Sequence, residues 1–163
     1  MTPGYARAPR GQRAYSDVPY NPGRNQTLTV GLRVTGTIAP FVVPGSTNGD
    51  VFTTYVVTQL APLLRRGDVV LVDRAQPHRG VAARVALQAR GVRLELLPPY
   101  SPDFDPVEAC GSKIKTFVRH AKPRSERDLI DAIGRAWATV MRRDARAWFE
   151  HYGYRGKRKR TPL

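Results

Sequence analysis

Three patterns in the sequence predict an α/β fold. Residues Thr27 to Val34 alternate between two kinds of side chain with the two-residue period of a strand. Val69 to Val72 form a short, wholly apolar run. A helical pattern follows that run, and then a second alternating run, Val92 to Leu96. The order strand, helix, strand predicts a parallel pair joined by a crossover.

Each element follows from local chemistry. Residues 1–26 are rich in Gly, Pro and Arg, and Arg7, Arg10, Arg13 and Arg24 make them a basic arm or loop. Thr27 to Val34 and Ile38 to Val43 flank the turn Thr35-Gly36, which predicts an antiparallel hairpin closed by Pro44-Gly45. Asn48 is placed to cap a helix reaching about Leu64, with Phe52, Tyr55, Val56 and Leu60 at helical spacing. Asp68 to Asp73 suits a strand buried on both faces. Val81 to Arg90 suits a helix stopped by Gly91. Four prolines between 98 and 106 stiffen a loop, and a helix follows from Pro106 to about His120. A last helix spans about Ser125 to Phe149, with Ser125 to Asp128 as a capping box. Residues 1–154 form the predicted domain, and 155–163 a basic flexible tail.

The chain has 163 residues, of which 41% are hydrophobic, enough for one domain with a real core. No apolar stretch approaches the roughly 20 residues that span a bilayer, and no apolar signal segment follows Met1. A membrane partner is not expected. The lone Cys110 has no internal disulfide partner, which fits a reducing cytosol. The net charge of +14 comes from 22 Arg and 5 Lys against 13 acidic residues, and it favours a polyanion such as DNA. Arginine forks suit phosphate geometry. With three His and one Cys, a structural zinc site is not expected.

Two carboxylates stand out. Asp73 ends the apolar run at the carboxyl edge of a strand, where ligand sites gather in α/β sheets. Glu108 stands 34 intervening residues later, at the start of a helix. Asp105-Pro106-Val107-Glu108 is also an ordinary helix start, with Glu108 at the capping-box position. Glu108, Ser112, Lys115 and Arg119 share one helix face, so a carboxylate would head a basic stripe able to follow a phosphate backbone. The same stripe could equally be a solvated polar face. His78 could touch a phosphate or sit in a surface loop. Asp105 suits a cap and Asp103 a turn, although either lies near enough in sequence to join a metal site.

Leu97 to Glu108 closely resembles the "LPPYSPDLNPIE" signature of mariner-superfamily DDE transposases, particularly the bacterial insertion-sequence branch. Asp73 with His78 resembles that family's "D-N-x-x-x-H" segment, and the gap to Glu108 is similar to its second-to-third acid spacing. Ala8 to Arg13 and Phe149 to Tyr154 match as well, so the resemblance runs from about Gly4 to Tyr154. It implies an RNase H-like fold, a mixed five-stranded sheet flanked by helices. It also implies that Asp73 and Glu108 are the second and third acids of a site binding two Mg²⁺ (or Mn²⁺) ions. DNA contacts are implied at His78, Lys115, Arg119, Arg10 and Arg13. The implied function is DNA transposition, meaning metal-dependent cleavage and strand transfer. The setting would be the cytoplasm of a bacterium, at the nucleoid.

The sequence departs from the family pattern. In the family the first acid lies on the first, central strand, ahead of the segment that Ala8 to Gly11 resemble, which here places it upstream of Met1. The expectation is therefore a catalytic-domain fragment, lacking its first strand and inactive alone. A homodimer or an upstream transposase fragment would be its protein partner. Arg74 replaces the usual Asn, Asp105 replaces another Asn, and Gly111 replaces a large aromatic. The rival expectation is a non-enzymatic basic DNA-binding protein that modulates a full-length transposase.

Overall fold

Strand β1 (Gln26–Arg33) and strand β2 (Gly36–Pro44) form the predicted antiparallel hairpin. The computed structural model describes residues 7–15, 25–99 and 101–154, so the tail and part of the basic arm, with Arg24, lie outside the described residues. The hairpin is bulged. Thr29 faces Phe41 and Gly31 faces Ile38, so Ala39 and Pro40 on β2 together oppose Val30. Ala39 adopts φ +51° and is buried. Gly31 is needed for this close approach, because a Cβ there would lie 2.9 Å from Ile38 Cγ1.

Helix α1 (Gly49–Tyr55) starts where Asn48 predicts, with Asn48 Oδ1 accepting from Val51 N at 2.9 Å. The path to Leu63 is not one regular helix. It widens to a π turn at Val56–Leu60 and tightens to a 3-10 turn at Ala61–Leu63. Pro62 has no N–H to continue the α ladder. Strand β3 (Val69–Val72), helix α2 (Val81–Ala89) and strand β4 (Arg93–Leu96) make the predicted parallel crossover unit. Helix α3 (Pro106–Ala121) ends at Lys122 in the left-handed region, just before Pro123.

The predicted final helix is two helices, α4 (Glu126–Ala138) and α5 (Arg142–His151). The chain breaks at Thr139 to Met141, and contacts distant in sequence hold the break. Lys113 Nζ donates to Thr139 O at 2.8 Å and to Asp144 Oδ2 at 2.6 Å, while Asp144 Oδ2 accepts from Met141 N at 2.8 Å. The carbonyl end of α4 and the amide end of α5 thus share one lysine–aspartate pair.

Two apolar clusters flank the hairpin. In the first, Ile38 and Phe41 of β2 and Val70 and Val72 of β3 pack on Phe52, Tyr55, Val56 and Leu87. In the second, Leu28 and Leu32 of β1 pack on Cys110, Ile114 and Val118 of α3 and on Ala132 and Ala136 of α4. The strands form two separate two-stranded sheets, β1–β2 and β3–β4, and no described strand joins them. The expectation that β3 is buried on both faces is therefore wrong. Val69 and Leu71 are each 42% exposed, because only the face that carries Val70 and Val72 is packed in a core cluster of the described residues.

Gly111 lies inside α3, and a Cβ there would meet nothing within 4 Å. Gly111→Ala is expected to raise stability by up to about 1 kcal/mol, as measured by chemical denaturation.

Candidate active site

Strand β3 delivers Asp73 just past its carboxyl end, exposed to solvent. A local turn and a ring hold the carboxylate. Asp73 Oδ1 accepts from Ala75 N at 3.1 Å and lies 2.5 Å from His78 Nδ1. His78 stands in a 3-10 turn (Gln76–Arg79), half-buried, with its ring 4.4 Å from that of Phe52. His78 is thus the partner of Asp73, anchored on α1 through Phe52.

Helix α3 delivers Glu108 from its first turn. Asp105 caps the helix, its Oδ1 accepting from Val107 N at 3.1 Å. A full capping box forms at α4 between Ser125 and Asp128. At α3 only the Asp105 half is present, and the exposed Glu108 carboxylate makes no return bond to the cap among the described residues. Capping therefore leaves that carboxylate available.

Asp105 marks where the two segments meet. Its carboxyl is pushed above the ordinary range, first by burial and then by the charges of Glu108 and Asp73. The Val107 N–H bond and His78 act in the opposite direction. Asp73, His78, Asp105 and Glu108 thus share one electrostatic neighbourhood. A raised folded-state pKa penalises the ionised form. The penalty is absent in acid and grows as pH rises above the ordinary carboxylate range through the raised value. Asp105→Asn keeps a good cap and removes that charge. We expect its melting temperature at pH 7 to rise by about 1–2 °C, with the gain vanishing in acid.

The other residues expected at the site fall into two places. Ser112, Lys115 and Arg119 are exposed on α3, opposite its buried Cys110, Ile114 and Val118. Arg10 and Arg13 are exposed in the separate segment 7–15. Among the described residues, no three His, Cys, Asp or Glu side chains lie close enough together to hold a metal ion.

Two structural supports were not legible in the sequence. Arg74, next to Asp73, donates from Nε to Leu97 O at 3.0 Å, bracing the strand end that carries Asp73 against the start of the proline loop. Tyr154 Oη donates to Phe104 O at 2.7 Å, and its ring meets Phe149 edge-on at 5.6 Å. Tyr154 thereby pins the 3-10 turn (Pro102–Phe104) that leads into α3. No local spacing signals a contact 50 residues away.

The hairpin, the parallel pair and the five α-helices of the described residues make a mixed α/β fold. The same fold is seen in structures of the mariner transposase Mos1. The Mos1 strand transfer complex matches with TM-score 0.68 at 20% identity, over 91% of this chain and 46% of that one. The Mos1 paired-end complex with left transposon end gives 0.69 at 20%, with the same coverage. The Mos1 paired-end complex with Mn gives 0.68 at 20%, over 90% and 46%. The chain thus spans about half the length of these transposases. No curated protein matches it. Residues 1–130 match the model of the DDE superfamily endonucleases, and the chain belongs to that family.

Proposed function

We propose that this chain is the part of a transposase catalytic domain that carries Asp73 and Glu108, acting in cleavage and joining of DNA ends. The observation that carries the reading is that Asp73 and Glu108, 34 intervening residues apart, stand exposed at a strand end and in the first turn of a helix, in a chain that matches the DDE superfamily endonuclease model over residues 1–130. Both are hard oxygen donors, exposed at an open edge, and suit Mg²⁺ or Mn²⁺. When bound, such ions stabilise the charge on the attacking and leaving oxygens of phosphoryl transfer. The chain's own residues do the positioning. His78 and Ala75 N fix the Asp73 carboxylate, Asp105 and Tyr154 fix the start of α3, and Lys115 and Arg119 face the DNA backbone.

The test is DNA affinity against salt, with and without Mn²⁺, and a cleavage assay on transposon-end DNA. Lys115→Ala and Arg119→Ala should each weaken binding equally across sequences and reduce the log–log salt slope by about 1. Unchanged slopes would remove α3 from the interface. The second reading, a purely DNA-binding modulator, rests on the net charge of +14. Steep salt dependence with no response to Mn²⁺ or to Asp73→Asn would favour it.

A further inference from the structure

Helix α5 is held at both ends. Asp144, in its first turn, holds Lys113 of α3, and Tyr154, just past its end, holds Phe104 O. Ala145 is buried and Trp148 packs on the second cluster. The face left over carries Arg142, Arg143, Arg146, Ala147 and Glu150, all exposed, lining an open hollow of about 460 Å³. Three guanidinium groups there outnumber one carboxylate. Among the described residues none of the three arginines forms an ion pair.

Folding chemistry does not account for this face. The first turn of a helix is the positive end of its dipole, so cations there oppose helix formation. Arg142 and Arg143 nevertheless open α5, and Arg146 follows Arg142 by one turn. Each presents a fork of donors to solvent, a geometry that matches phosphate oxygens. In sequence the basic character continues past the helix, with five basic residues among Arg155 to Arg160, which lie outside the described residues. The face is also separate from the stripe on α3. α5 lies on the Lys113 side of α3. Lys115 stands two residues on, roughly 200° around the helix, so the stripe of Lys115 and Arg119 looks away from α5.

We propose that the outer face of α5 is a second nucleic-acid backbone surface, on which Arg142, Arg143 and Arg146 donate to neighbouring phosphates. An open row of cations fits a repeating polyanion better than an enclosed small anion. A duplex carries about one negative charge per 1.7 Å, so one turn of α5, about 5.4 Å, runs beside roughly three of them. Few acidic peptides sustain that density. The brace at each end of α5 keeps the row in a fixed place relative to α3. The proposal rests on the functional reading above only in taking DNA as the partner; it needs neither the metal site nor the α3 interface.

The test is fluorescence anisotropy of a short DNA duplex of arbitrary sequence, titrated with the whole chain across a salt series. Arg143→Gln combined with Arg146→Gln should weaken binding by about tenfold per arginine near 0.1 M salt and reduce the log–log salt slope by about 2. The melting temperature should hold or rise, because a cation leaves the first turn. Glu150→Gln should tighten binding. Arg84→Gln combined with Arg90→Gln removes the same charge from the exposed side of α2 and should cost clearly less. Unchanged affinity and slope in the α5 variant, an equal loss in the α2 variant, or equal competition by polyglutamate at matched charge would each overturn the proposal. If Lys115→Ala and Arg119→Ala leave the slope alone while the α5 variant lowers it, the α3 interface falls and this surface stands. The reverse pattern overturns this surface and leaves the functional reading intact.

Discussion

Glu108→Gln is expected to lower the metal-dependent DNA cleavage proposed for this site by at least about a thousandfold. The substitution keeps the size of the side chain and the helix start, since Asp105 caps α3 without help from Glu108. On the proposed function it removes a charged oxygen that would hold a metal ion. DNA affinity should hold or rise slightly, because a negative charge leaves a basic face. Cleavage kinetics and DNA binding measured on the same preparation separate the two effects. Cleavage within tenfold of the parent would eliminate Glu108 as a metal ligand.

Ile114→Ala is expected to destabilise the chain by about 2–5 kcal/mol, or roughly 5–15 °C in melting temperature. Ile114 sits one turn beyond Cys110 and one turn before Val118, all three buried against Ala132 and Ala136 of α4 and Leu28 and Leu32 of β1. Deleting its side chain leaves a cavity where α3 joins the hairpin. Lys115, next along the helix, is exposed, and Lys115→Ala should stay within about 0.5 kcal/mol. The contrast within two residues tests whether α3 is held by one apolar stripe. Similar effects at both positions would mean that the helix packs differently.

The parts of the fold that were legible in the sequence are those set by local chemistry. The hairpin was readable because a two-residue period and a Thr-Gly turn fix register over a short range. The parallel unit was readable because a crossover helix leaves few other arrangements for two short strands. The start of α3 followed from Asp-Pro, and Asn48 behaved as a cap. The misread parts depend on distant partners. The apolar spacing of Ile133, Trp137, Val140, Met141 and Trp148 runs on across the break after α4, which Lys113 imposes from another helix. An apolar run such as Val69 to Val72 is buried on both faces only if other elements cover both, and among the described residues only the face of Val70 and Val72 is packed in a core cluster. At the candidate site, the acids could be picked out by type and spacing. The Asp73–His78 bond, the Phe52 ring beneath it and the Tyr154 tie came only with the fold.

Cys110 is the lone thiol of the chain and has 0% exposure on the buried side of α3. Burial pushes it up to about 11, so in the closed fold it has neither access nor thiolate. A thiol reagent can react only during the moments when α3 lifts from α4 and the hairpin. In those moments the cysteine regains its ordinary acidity, and the labelling rate becomes the fraction of time open multiplied by the rate for a free thiol. The chain therefore carries its own stopwatch on the helix that bears Glu108. With no engineered label, it can time how often that carboxylate leaves its station and whether DNA or metal keeps it there longer.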